Sequence, residues 1–209
     1  METTKKKRSE KSMTECRIAL KEWAVVCEAI ATGRQQVLFR KGGIHEGSRG
    51  FQIEHNEFWL FPTGFHQSLD GVQKPFQQAA RSVLDVSPAP GRLRIQHFCQ
   101  LQGIAWCDSE AKLDELLPFQ VLTRESLLTR FHYRRPGLFI LLVTCASLPE
   151  PVTIPADPIY DGCHSWVELQ QPIFTDSLIH LPENAQELRQ REHLLEMFPD
   201  LAKPVPLTS

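Results

Sequence analysis

The chain has 209 residues, 42% of them hydrophobic and 23% charged, with a formal net charge of −2 and a pI near 6.4. That length suits a single domain with a sizeable core, and the composition excludes a disordered, collagenous or coiled-coil chain. A near-neutral charge gives no overall pull toward nucleic acid or anionic lipid, so any such role must rest on a local patch.

Residues 1–14 are polar and basic (Lys5, Lys6, Lys7 and Arg8) with no apolar period and read as a disordered arm. No apolar segment follows them, which predicts a cytoplasmic protein without a secretory leader. In 16–33, CRIALKEWAVVCEAIATG, the residues Ile18, Leu20, Trp23, Ala24, Cys27 and Ile30 share one face at helical spacing, with Gly33 at a C-cap position. The competing reading is a strand from Trp23 to Ile30, because Val25 and Val26 favour extended structure. Residues 36–40 read as a strand halted by Gly42 and Gly43, and residues 58–61 as an aromatic strand ended by a turn at Pro62, Thr63 and Gly64.

Residues 74–86 carry Phe76, Ala79, Ala80, Val83 and Leu84 at helical spacing, with Pro75 in the first turn. One or two strands follow over 93–106. A helix is predicted after the cap residues Asp108 and Ser109, and a second from Thr123 to His132. Residues 138–146 form the strongest strand; the whole uncharged run 138–148 is about half of what a membrane span needs, so no membrane partner is expected. Prolines at 149, 151, 155 and 158 then mark an extended connector that no interior strand can contain. Residues 165–169 form a short closing strand, and a last helix over 183–198 is expected to bury Ala185, Leu188, Leu195 and Phe198. The fold class is thus α+β: one domain with a mixed β-sheet flanked by helices over 15–172, a C-terminal loop and amphipathic helix over 173–201 packed on it, and a tail over 202–209.

Two basic clusters stand out. Arg40, Lys41 and Arg49 flank the Gly-Gly turn, where turn amides and cationic heads converge on an anion. Tyr133, Arg134 and Arg135 join phosphate-binding cations to a stacking ring. His66 and Gln67, just past a turn, would line the same site. These residues point to a non-catalytic module that binds nucleic acid or a nucleotide. The alternatives are a hydrolase using His66 with Glu54 and Glu57, and an adaptor that meets a protein partner or a second copy of itself through the terminal helix.

His45, His55 and His66 with Glu46, Glu54 and Glu57 match no zinc spacing, and no GxSxG, Walker or GxGxxG loop occurs, so no metal and no cofactor are expected. Six cysteines (Cys16, Cys27, Cys99, Cys107, Cys145 and Cys163) lie in apolar segments without a CxxC pair and read as buried free thiols. Cys163 precedes His164, but neighbours on a strand point to opposite faces.

The succession ALKEWAVVCEAI, LFRKGGI, FWLFPTGFHQ, HYRRPGLFILL, LPEPVTIP and GCHSWVEL resembles the bacterial family called domain of unknown function 1802 over about residues 17–172. That resemblance implies no activity; some members are associated with restriction-endonuclease-like domains, which implies a role linked to restriction or defence. Two weaker likenesses concern the fold. The order of elements is similar to a Nudix domain, but QKPFQQAARSVLD lacks the glutamates that would hold Mg²⁺. GRQQVLFR resembles the GxKxxExR signature of the ASCH domain, a PUA-like module associated with RNA, keeping Gly33 and Arg40 but placing Gln35 and Leu38 at the Lys and Glu positions.

Overall fold

Extended pairing dominates the computed structural model, which describes residues 14–41, 53–64, 69–85, 91–162, 164–180 and 182–205. Its strands are β1 (Glu15–Trp23), β2 (Val37–Arg40), β3 (Glu57–Thr63), β4 (Arg92–Cys107), β5 (Leu138–Pro155), β6 (Trp166–Phe174) and β7 (Ile179–His180). They form one mixed sheet in the order β2-β5-β4-β3-β1-β6, with β7 added to β5. The β1–β3 pair is parallel and the other pairs are antiparallel. The helices are α1 (Ala24–Ala31), α2 (Gln77–Asp85), α3 (Glu110–Leu116), α4 (Arg124–His132) and α5 (Ala185–Met197). Among the described residues no helix is long and apolar enough to cross a membrane. The α+β class read from the sequence is the class observed.

Neither sequence reading of 16–33 holds. β1 runs through Trp23 and α1 begins at Ala24, so the segment is half strand and half helix. Pairing decides the first half: β1 lies between β3 and β6, with Leu20 opposite both Leu60 and Trp166. Ala19 and Leu20 point to opposite faces and both are fully buried, so β1 is covered on each side. Burial decides the second half, because Val25, Val26, Cys27, Ala29, Ile30 and Ala31 all enter the core and tertiary packing overrides the extended preference of the valines. Gly33 then adopts φ +72° just beyond the cap residue, its N–H donating to the Ile30 carbonyl, as a left-handed helix stop requires.

Two proline expectations are also corrected. Pro62 lies inside β3, opposite Glu22, rather than in a turn. Among the described residues β4 pairs with β3 from Glu57 to Trp59 and not at Pro62, where a missing N–H therefore costs little. β5 likewise continues through Pro149 and Pro151 to Pro155, pairing Val152 with Ile95 and Pro155 with Arg92. Its outer edge is matched by β2 at 139–142 and by β7 at Ala146 and Ser147, and the proline-rich half lies beyond both.

Helix boundaries follow local capping. Thr123 accepts the Ser126 N–H to open α4, and Asn184 with Glu187 forms a full capping box on α5. The buried contacts of α5 are not the four expected. Leu194 and Phe198 are buried, whereas Leu188 is 45% exposed and Ala185 is exposed, so the helix is anchored by its C-terminal half. One core, containing Leu20, Leu38, Phe58, Leu141 and Leu194, lies under the helices; a second, with Ala19, Trp59, Phe61, Ile95 and Tyr160, fills the other face. The described cysteines are free thiols, with Cys27, Cys99 and Cys107 buried and Cys16 and Cys145 half-buried. Cys163 lies outside the described residues.

His97 gives the fold a pH dependence. It pairs across the sheet with Ser147, Nδ1 lying 2.8 Å from the hydroxyl, and burial pushes its imidazole down to about 4 from an ordinary 6.5. Between those values the unfolded chain binds a proton that the folded chain refuses. Stability should therefore be complete above pH 6.5, fall by up to about 3 kcal/mol on acidification toward pH 4, and not fall further on this account. Urea midpoints recorded from pH 7 to 4.5 should flatten in His97→Gln; an unaltered slope would assign the titration to another group.

A cationic cleft at the ends of the parallel strands

β1 and β3 run parallel and end together at Trp23 and Thr63. Beyond them opens a cleft of about 910 Å³, walled by the ends of β1, β2 and β3, by Arg130 of α4 and by the loop carrying Asp157, Tyr160, Asp161 and His164. Among the described residues, four cations line it (Lys21, Arg40, Lys41 and Arg130) with three carboxylates (Glu22, Asp157 and Asp161).

Glu22 is the electrostatic centre of this wall. Strand alternation turns it to the Leu20 side, into the helical core, where its side chain is only 2% exposed. Its Oε1 accepts from the Trp23 N–H at 2.8 Å and from Arg130 Nη2 at 3.2 Å, and its Oε2 from Arg40 Nη1 at 3.4 Å. Burial alone would raise its pKa, but Arg130, Arg40 and the Trp23 amide together outweigh burial and hold the carboxyl below its ordinary value. Arg40 also donates to the Lys21 carbonyl, Arg130 donates to the Phe39 carbonyl while its guanidinium lies 4.8 Å from the Trp23 ring, and Thr63 Oγ1 donates to the Glu22 carbonyl. Among the described residues, two guanidinia share this one carboxylate. Lys21 points the other way and donates to the Gly162 carbonyl at 3.0 Å.

Lys41 joins this cleft to the second basic cluster. Its ammonium donates to the carbonyls of Phe131, Arg135 and Gly137, which fixes the turn between α4 and β5. Partial burial, reinforced by Arg135, lowers its pKa. On that turn Arg134 has φ +63°, a left-handed conformation uncommon for a residue with a side chain. Its guanidinium lies 5.3 Å from the Tyr133 ring, and Arg135 lies 5.7 Å from Trp106, which also faces Lys41 at 5.8 Å. Tyr133 is 43% exposed and both arginines are exposed.

Arg40, Lys41, Arg134 and Arg135 are thus neighbours through Lys41, but in two roles. Arg40 and Lys41 are committed to a carboxylate and to backbone oxygens, whereas Arg134 and Arg135 face outward. Glu57 stands at the opposite end of β3, about 20 Å from Thr63 at the usual rise per residue, and accepts from Gln100; Glu54 is exposed nearby. Arg49, His66, Gln67, His45 and Glu46 lie outside the described residues. Among the described residues no group of three His, Cys, Asp or Glu side chains gathers to hold a metal. In the segment GRQQVLFR, Gln35 is a buried tether between the Val37 carbonyl and the Val121 N–H, and Leu38 is core; the acidic partner of Arg40 comes from β1 instead.

Sequence reasoning missed Lys21, Glu22, Trp23 and Arg130. The available signal was LKEW, two charges between Leu20 and Trp23: on a strand with both faces covered, the two side chains enter opposite layers and each needs a partner there. A helical reading places both in water and hides it.

The chain is similar to crystal structures of ASCH from Zymomonas mobilis. One variant of that protein matches with TM-score 0.41 and 14% identity over 87% of this chain and 99% of the other, and another ASCH structure with TM-score 0.39 and 14% identity over 85% and 94%. No curated protein matches it. The model of one family spans residues 19–191, from the middle of β1 into α5 and across every wall of the cleft, and the chain belongs to that family, Domain of unknown function (DUF1802).

Proposed function

We propose that the chain is a non-catalytic module that binds nucleic acid or a nucleotide, using the turn at 132–137 and the cleft beside it. The observation that carries this reading is the Lys41 bridge, which makes the cleft wall and the Tyr133-Arg134-Arg135 turn one continuous basic and aromatic surface. Arg134 and Arg135 supply the outward phosphate contacts. Each guanidinium lies near an aromatic ring, an arrangement that reduces its freedom while leaving its N–H edge for a phosphate. Arg40 and Lys41 act as positioning residues. Arg49, His66 and Gln67 complete the contact set expected from the sequence.

The test is fluorescence anisotropy with labelled single-stranded and duplex RNA and DNA at two salt concentrations. Binding should weaken as salt rises. The Arg134→Ala/Arg135→Ala variant should lose about tenfold or more in affinity, with its salt slope reduced by roughly 1.4 if both contacts are to a single strand. Binding that ignores salt, or a double variant that binds like the parent chain, would remove this surface from the function.

A further inference from the structure

The cleft itself has a chemistry distinct from the outward surface. Its cations come from β1, from β2 and the residue after it, and from α4, and its carboxylates other than Glu22 from the 157–161 loop. Between them lie the apolar bodies of Phe61, Pro62, Leu93 and Tyr160. Phe61 and Tyr160 are nearly fully buried and their rings meet edge to face at 5.5 Å, so this part of the wall is preformed. The volume falls in the range that encloses a small organic ligand, and is far too small for a duplex. A fitting occupant has an apolar flat face, hydrogen-bond donors for carboxylates and an anionic group for the guanidinium and ammonium side.

We propose that the cleft is a receptor for one nucleoside monophosphate unit, either free or as a single unstacked residue of a strand held on the neighbouring turn. The phosphate lies on the Arg40, Lys41 and Arg130 side, the base lies against the apolar wall, and sugar or base donors face Asp157 and Asp161. This inference deepens the binding reading above and rests on it for the strand-borne source alone.

The two sources separate experimentally. Gly64 lines the cleft, and a Cβ added there meets nothing within 4 Å, so Gly64→Trp is the variant chosen to obstruct it. Asp161→Asn is a second variant at an exposed position. Adenosine, cytidine, guanosine and uridine 5′-monophosphates are titrated one at a time and followed by tryptophan emission and calorimetry. In parallel, pentanucleotides with one abasic site walked through the sequence are assayed by anisotropy. A saturable mononucleotide signal that both variants weaken at least fivefold supports the cleft as the receptor. One abasic position that costs roughly tenfold in the parent chain, and nothing in Gly64→Trp, identifies the strand as a source. Strand binding that tolerates every abasic site, with no mononucleotide signal, overturns the cleft proposal and leaves the surface reading standing. Mononucleotide binding with no strand binding keeps the cleft and overturns the strand reading, and the absence of both overturns both.

Discussion

Glu22→Gln should lower stability by about 3–5 kcal/mol, the scale of removing one partner from a buried ion pair. The side chain remains the right size and can still accept the Trp23 N–H, so the loss reports charge and not volume. Arg40 and Arg130 would then lie near each other at 12% and 21% side-chain exposure without their shared carboxylate. Adding Arg40→Met and Arg130→Met should recover much of the loss, because replacing a buried ionic cluster with apolar groups is often neutral whereas halving it is not. The measurement is guanidinium unfolding at pH 7 for the single and triple variants. A single variant within about 1 kcal/mol of the parent would mean that water compensates the arginines. The same carboxyl sets an acid limit. Its folded pKa lies below the ordinary 4.5, so its contribution is full above that value and disappears as pH falls through the folded one. In the parent chain this loss begins below pH 4.5, near where the His97 loss is ending, and Glu22→Gln should remove only the lower of the two limbs.

The architecture could be read from residues with one dominant preference. Residues 36–40, 58–61, 138–146 and 165–169 are short apolar runs and 93–106 opens on an alternating pattern, and each lies within a strand of the sheet to within a residue. α4 was legible at both ends because Thr123 caps it and the HYRRPG turn stops it. What remained hidden depended on partners distant in sequence. Ile18, Leu20 and Trp23 satisfy a helical stripe, and only pairing with β3 and β6 makes that stretch a strand. The Pro149 to Pro155 strand is excluded by an interior rule that ceases to apply on an edge that neither β2 nor β7 pairs. Arg40 and Arg134 could be named as cations, but their separate roles could not, since these follow from a carboxylate 18 positions upstream of Arg40 and from a lysine that meets the turn more than 90 residues later.

Gly137→Ala should be the costliest single-methyl change on the binding surface, at about 2–4 kcal/mol. Two penalties coincide there. The residue has φ +122°, which an L side chain rarely adopts, and an added Cβ would run into the six-membered ring of Trp106. Gly91 isolates the first penalty, since it has φ +79° but an added methyl there meets no heavy atom within 4 Å; Gly91→Ala should therefore cost only about 1–2 kcal/mol. The excess at Gly137 is the overpacking term, and relieving it requires Trp106 to leave its edge-to-face contact with Phe139 at 4.7 Å. That ring is also the neighbour of Arg135 and Lys41, so Gly137→Ala should weaken strand binding and shift tryptophan emission, whereas Gly91→Ala should do neither. Equal unfolding costs for the two variants would mean that the turn yields as a rigid body and Trp106 stays in place. In that case strand affinity should still fall, because Lys41 would lose its hold on the Gly137 carbonyl and the arginines would move away from the cleft wall.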